Sequence, residues 1–327
     1  MNSLHRLVIL LAACAIWLGM AASASAALGF RRLAVPNGDA APIEAGVWYP
    51  ASGPVQTMQL GLFQQSVAVD APMAGEALPL VLISHGNGGA WSSHVDTAVA
   101  LAEAGFVVVA LTHPGDNYLD QSRSTDLPAR PRHLRAVLDY LLGSWSERAR
   151  IDAARIGAFG FSAGGFTVIA AAGAEADPAA IVRHCEARPE LFDCRLMSRS
   201  PVVPGDWLQW SRDDRIKAVV AAAPGLGYAF TDRSVAAVRI PVQLWQAEED
   251  EVLAAPYHVE PLRDRLPSAE YHPVAGAGHF DFLSPCRPEV AAAEPALCGS
   301  GPGFDRTAFH AAFNAEVVRF FRKALGG

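Results

Sequence analysis

Apolar residues in this chain fall mostly into short continuous runs separated by helical periods, with little of the strict alternation that marks a sheet wetted on one face. Residues 30–35 and 43–49 are apolar clusters between Pro and Gly breaks, and they predict two early antiparallel strands at the sheet's edge. Residues 53–76 carry no strong period and are expected to wrap the surface. The run 78–84 is apolar almost throughout, as a parallel strand covered on both faces requires, with Pro79 near its start where proline is tolerated. Helix over 95–104, strand over 106–111, helix over 131–142, strand over 156–161 and helix over 163–172 follow in strict alternation. Leu134, Val137, Leu138 and Leu141 give the second of these helices its buried stripe. Between 175 and 214 the order breaks into an excursion with four prolines, Trp207 and Trp210, expected to cap whatever lies at the sheet's edge. Strands at 216–223 and 240–246, a helix near 256–266, a strand near 269–274 and a last helix over 309–324 complete the pattern. Phe313, Val317, Phe320 and Phe321 face the core from that last helix. The prediction is an α/β fold in one domain over 27–327, with a mostly parallel sheet, right-handed crossovers and helices on both faces.

The first 26 residues change the compartment. Arg6, an apolar run over 7–20 and Ala24-Ser25-Ala26 read as a secretory signal peptide with its cleavage site, which predicts an exported protein, periplasmic or secreted. Leu11-Ala12-Ala13-Cys14 would alternatively be a lipoprotein processing box that leaves a lipid on Cys14, ranked second because the residues after it stay apolar. A retained anchor is disfavoured, since the run is short for a bilayer and no later run spans one. Without the leader, 25 basic residues stand against 33 acidic ones, and nucleic acid is not an expected partner. At 51% hydrophobic residues there is ample material for a core. Cys185, Cys194, Cys286 and Cys298 remain, an even number in an exported chain, and disulfides are expected. Four cysteines permit three pairings; the close spacings favour Cys185 with Cys194 and Cys286 with Cys298. Zinc is a poor alternative, because no pair has C-x-x-C spacing and His184 alone does not complete a ligand set. No metal and no cofactor are expected.

The candidate chemistry sits where the strand over 156–161 meets its helix. Gly160-Phe161-Ser162-Ala163-Gly164 has the G-x-S-x-G form of a nucleophile elbow, in which a tight turn lifts a serine above the sheet edge. A serine hydroxyl needs a base, and the base needs a carboxylate to orient it. The loop after 240–246 reads Ala247-Glu248-Glu249-Asp250-Glu251, and the loop after 269–274 reads Ala275-Gly276-Ala277-Gly278-His279. The order Ser162, acid, His279 is that of α/β-hydrolases. Asp250 is preferred as the acid, with Glu248, Glu249 and Glu251 as competitors and Asp232 as a weak rival. His85 and His113 lie at the correct edge too early for the base and are expected to brace loops; His94, His133, His184, His258, His272 and His310 are read as structural or solvated, with His258 on a helix. An oxyanion needs two donors, expected from the amides of Ala163 and of Asn87 in His85-Gly86-Asn87-Gly88.

The chain resembles the dienelactone-hydrolase-like and platelet-activating-factor-acetylhydrolase-like branch of the α/β-hydrolases, particularly its exported bacterial members. The resemblance is carried by Val47-Trp48-Tyr49-Pro50, residues 78–89, His113-Pro114-Gly115-Asp116-Asn117, Arg130-Pro131, residues 160–165 and Gly276-Ala277-Gly278-His279-Phe280. It implies a cofactor-free hydrolase of small-molecule or lipid esters, with nucleophile Ser162, base His279, orienting acid Asp250 and oxyanion amides at Asn87 and Ala163. Dienelactone hydrolases use cysteine where this chain has Ser162, which turns the expectation to ordinary esters. Phe161 stands where the acetylhydrolases commonly have histidine, and Ala247 where glycine is common. A lipase, phospholipid acetylhydrolase or peptidase built on the same residues is the runner-up, and a catalytically silent binding protein is the alternative of another class.

Overall fold

The computed structural model describes residues 27–38, 40–202, 212–266 and 268–326. The expected leader and cleavage site, Cys14, Trp207 and Trp210 lie outside the described residues. Ten strands form one sheet: β1 (Ala27–Asn37), β2 (Ala40–Ala51), β3 (Gln56–Leu60), β4 (Phe63–Val69), β5 (Leu78–Ser84), β6 (Val107–Leu111), β7 (Ile151–Phe161), β8 (Ile216–Ala222), β9 (Val242–Ala247) and β10 (Glu270–Val274). Their order across it is β10-β9-β8-β7-β5-β6-β2-β1-β4-β3. The six strands from β5 to β10 are mutually parallel, whereas β2 meets β6 and β1 meets β2 antiparallel.

The continuous apolar runs follow from cover on both faces. In β5, Leu80 and Leu82 belong to one core and Val81 and Ile83 to the other. The first core is closed by α2 (Ala129–Gly143) and α3 (Ala163–Ala171), through Leu134, Val137, Phe166 and Ile169. The second is closed by α1 (Val95–Glu103) and α10 (Arg306–Leu325), where Phe313, Val317, Phe320 and Phe321 are buried as the period of that helix predicts.

Two expectations are corrected. Residues 53–76 do not merely wrap the surface: they hold β3 and β4, a hairpin turned at Gly61 and Leu62, so the sheet's edge is this hairpin and β1 and β2 lie inside it. Of this hairpin only Leu60, Val67 and Ala68 are buried, among glutamines and other polar residues, so the apolar signal is too sparse to read as a strand pattern. The helix expected near 256–266 shrinks to the single turn α7 (Glu260–Arg263), because Pro256 and Pro261 each remove a backbone donor; His258 lies in the turn before it, not on a helix.

The described part of the 175–214 excursion consists of α4 (Pro178–Ala187) and α5 (Phe192–Arg199), clipped by Cys185–Cys194. It lies beside the 3-10 turn Gly227–Ala229: the Tyr228 hydroxyl donates to Asp193 at 2.8 Å, and the His184 ring stacks on Tyr228. The second disulfide joins Cys286 and Cys298. Among the described residues no helix is long and apolar enough to cross a membrane.

Phe313 packs its ring against Trp245, Phe282 and Phe159, all of them core residues. Phe313→Ala leaves a cavity that these neighbours cannot fill, and an unfolding titration in urea is expected to show a loss of about 3–5 kcal/mol.

Candidate active site

Ser162 follows β7 with φ 56° and ψ −118°, a conformation that side-chain-bearing residues avoid. Such strain costs on the order of 1–3 kcal/mol and persists only where the surroundings impose it. Here its N–H donates to Ala222 O at 3.0 Å, and its carbonyl accepts from Gly225 at 3.0 Å and Phe166 at 3.1 Å. Both flanking glycines are required by space. A Cβ on Gly160 would lie 2.0 Å from Gly164 O, and one on Gly164 would lie 1.9 Å from Ser84 O. The elbow is therefore tight because α3 begins directly against β5.

The Ser162 hydroxyl is 3.0 Å from His279 Nε2, and His279 Nδ1 is 2.7 Å from Asp250 Oδ2. The carboxylate can only accept, so Nδ1 carries the proton and Nε2 presents its lone pair to the hydroxyl. Asp250 is itself fixed: its Oδ1 accepts from the amides of Val252 at 3.0 Å and Leu253 at 2.6 Å. Of the four acidic candidates, Asp250 is the one that reaches the ring. Glu248 and Glu249 are exposed, and Glu251 accepts from the His279 amide at 3.3 Å, bracing its backbone. Asp232 pairs with Arg265 in α6 (Asp232–Ala237), away from this chain of bonds. The His279 and Asp250 side chains are both buried, which keeps water from competing for their hydrogen bond.

Ala163 opens α3, and the amide of a first helical residue has no intrahelical partner. Gly86 packs against Phe161 and Ser162 and brings the loop that carries Asn87 beside the elbow. That loop is held by an ion pair that the sequence did not assign. Asp116, after β6, pairs with the fully buried Arg130 of α2, and its other oxygen accepts from the Asn87 side chain at 2.7 Å and the Gly88 amide at 3.0 Å. Arg130 also donates to the His85 carbonyl and to Thr167 Oγ1, the latter at 3.0 Å. Asp116 and Arg130 stand at the ends of core elements, as Ser162 does, and that position was the available signal.

The histidines expected to brace loops do so in neutral form. His85 Nε2 accepts from the His113 amide at 3.0 Å and Nδ1 donates to the Gly86 carbonyl at 2.6 Å; His113 meets Ser84 and His133. Burial, reinforced by the Arg130 charge, holds His85 and His113 well below the usual imidazole range. Burial likewise lowers His94, His133 and His258 to about 4. His184, Asp193 and Cys194 cluster closely enough to suggest a metal, but Cys194 is bonded to Cys185 and offers no thiolate.

A cavity of about 580 Å³ opens beside the site, lined by Asn87 and Phe161 together with Trp91, Tyr118 and Phe280. Phe161 and Phe280 also touch the His279 ring, which ties the cavity to the triad. None of the described residues of 175–214, expected to form the cap, lines it; the remaining walls come from Arg32, the β3–β4 turn, residues 88–93 and residues within 283–298.

The parallel sheet covered on both faces, with the serine on a strained turn after β7 and the acid and histidine after β9 and β10, is the α/β-hydrolase fold. Among solved structures, a ferulic acid esterase from Streptomyces cinnamoneus has the same fold, with a TM-score of 0.65 and 18% identity over 93% of this chain and 92% of that one. Among characterised proteins, the chain is similar to the cutinase est2 of Thermobifida alba, 26% identical over 215 residues, 64% of this chain. The match covers 55% of that protein, so this chain spans about half the length of the relative it matches. No family model matches the chain.

Two predictions follow from the buried charges. Arg130→Met strands Asp116 in the interior, and urea titration is expected to show a loss of about 3–5 kcal/mol. The depressed histidines make stability fall in acid. Unfolded imidazoles take up protons near 6.5, whereas folded His94, His133 and His258 resist until about 4. Stability is therefore full above 6.5 and is lost as pH falls from there toward 4, so the urea midpoint is expected to be lower at pH 5 than at pH 7.

Proposed function

We propose that the protein is an exported serine hydrolase that cleaves carboxylic esters through an acyl-enzyme. The single observation that carries the reading is the hydrogen-bonded chain from Ser162 through His279 to Asp250, set on a strained elbow. Similarity to one protein named a cutinase and fold likeness to another named a ferulic acid esterase support the same reaction class. Export draws support from the two disulfides, which persist in oxidising compartments, and from the leader-like first 26 residues. The dienelactone-hydrolase-like branch belongs to the same proposal, resting on the sequence resemblance.

In this mechanism the Ser162 oxygen attacks the ester carbonyl while its proton passes to His279 Nε2. Asp250, bonded at Nδ1, holds the ring in the working tautomer and stabilises the imidazolium. The carbonyl electrons move to oxygen, where the amides of Ala163 and Asn87 donate; each such donor contributes roughly 3 kcal/mol to the transition state. Collapse expels the alcohol, which takes the proton from His279. Water then enters, gives its proton to His279 and attacks the acyl carbon. The acid departs, and the proton returns to Ser162.

Turnover of p-nitrophenyl acetate is the first test. Ser162→Ala is expected to lower kcat by about 10³-fold or more and to abolish labelling by a fluorophosphonate probe. Asp250→Asn, which no longer enforces the tautomer, is expected to lower kcat by about 10³–10⁴, whereas Glu248→Gln and Glu249→Gln leave it within about twofold. A wild-type protein with neither turnover nor labelling would remove the reading and leave a silent binding protein; faster cleavage of a peptide than of any ester would replace it with a peptidase.

A further inference from the structure

Between the His279 turn and α10 the chain makes a second excursion containing two short helices, α8 (Pro288–Ala293) and α9 (Pro295–Cys298), and neither buries a single residue. Val290, Ala291 and Cys298 are only half-buried and Leu297 is 40% exposed, so burial contributes little to a segment whose ordering still costs entropy. Its position must come from elsewhere, and three restraints supply it. The Cys286–Cys298 bond closes the loop. Arg306 donates to the carbonyls of Leu297 at 3.0 Å and Gly299 at 2.8 Å, and it pairs with buried Asp281 at 3.0 Å. Asp281 in turn accepts from the Gly278 amide at 2.8 Å and from the Ser300 hydroxyl. One carboxylate thus ties the excursion to the residue that precedes His279.

This restraint holds a wall in place. Cys286, Leu297 and Cys298 line the same cavity as Asn87 and Phe161. Leu297 keeps 40% of its surface exposed, and it shares that lining with Leu62 of the β3–β4 turn, 53% exposed, and Tyr118 of the loop after β6, 67% exposed. Large apolar side chains left in water on three separate elements around one cavity are the arrangement that a bound apolar group would cover.

We infer that residues 286–298 form the specificity wall of the catalytic groove: Leu297 contacts the extended apolar part of an elongated ester, and the Cys286–Cys298 bond holds it in register with Ser162. The inference rests on the esterase reading above and deepens it. Short esters need only the triad and the oxyanion amides and do not reach the wall. Selectivity is thereby set after the catalytic histidine, by a segment distinct from the described residues of 175–214, none of which lines the cavity.

The test compares kcat/KM for p-nitrophenyl octanoate and acetate. In Leu297→Asp and in the double variant Cys286→Ser/Cys298→Ser, the octanoate-to-acetate ratio is expected to fall by about fivefold or more, through KM, since lost apolar contacts of a few methylenes carry at least that discrimination. The control Cys185→Ser/Cys194→Ser is expected to keep the ratio within about twofold. An unchanged ratio in Leu297→Asp, or an equal shift in the control, overturns the inference. So does an equal loss on both substrates, which would make the segment a support for the His279 turn alone. A second measurement separates this from the esterase reading: calorimetric binding of the non-hydrolysable 4-nitrophenyl octyl ether to Ser162→Ala, with and without Leu297→Asp. Weaker binding in the double variant supports the wall even if the wild type turns over no ester, and absence of binding to Ser162→Ala overturns it.

Discussion

The contact between Arg130 and Asp116 is the constraint around which this candidate active site is built. A guanidinium taken wholly out of water is tolerable only when its charge is matched and its donors are occupied. Arg130 meets both conditions by reaching from α2 to the loop after β6, to the carbonyl of His85 and to Thr167 of α3. The two oxygens of Asp116 divide the work: one pairs with Arg130, and the other holds Asn87 and Gly88. Four segments that are far apart in the chain are locked together by one pair of opposite charges. The neutrality of the neighbouring histidines follows, because a buried imidazolium beside Arg130 would be both desolvated and repelled.

The elbow depends on that lock. Ser162 occupies a strained backbone conformation, and the strain is sustained by hydrogen bonds to β8 and to the turn that follows it and by the contact of Gly164 with Ser84. Strand β5 therefore serves twice, since its last residue meets α3 and its continuation is the loop that Arg130 and Asp116 hold. A shift of β5 would move Ser162, the proposed nucleophile, and the proposed oxyanion donors together. Such coupling keeps two groups in register across a step in which one attacks and the other receives charge.

The two disulfide-clipped excursions divide their roles by position. The one carrying Cys185 and Cys194 is bound through Asp193 and Tyr228 beside the sheet, while the one carrying Cys286 and Cys298 borders the cavity. The alternation of runs along the chain could not distinguish them. Both are short, loop-rich segments, and what separates them is which neighbour each leans on.

Most of the fold was legible, because burial on both faces writes itself into a strand as an unbroken apolar run, as in β5 and in residues 156–161 of β7, and into α10 as Phe313, Val317, Phe320 and Phe321 at helical spacing. The β3–β4 hairpin was not, since only Leu60, Val67 and Ala68 of it enter the core and the rest is held by backbone bonds. At the site, Ser162 and His279 could be named from glycine-bounded turns at strand ends, where backbone geometry dictates residue type. That Asp250, of four adjacent carboxylates, meets the His279 ring, that Asp116 pairs with Arg130, and that Leu297 borders the cavity were visible only in the tertiary structure. Local sequence records what each segment must bury or how it must turn; which side chains then meet depends on the packing of elements that the chain places far apart.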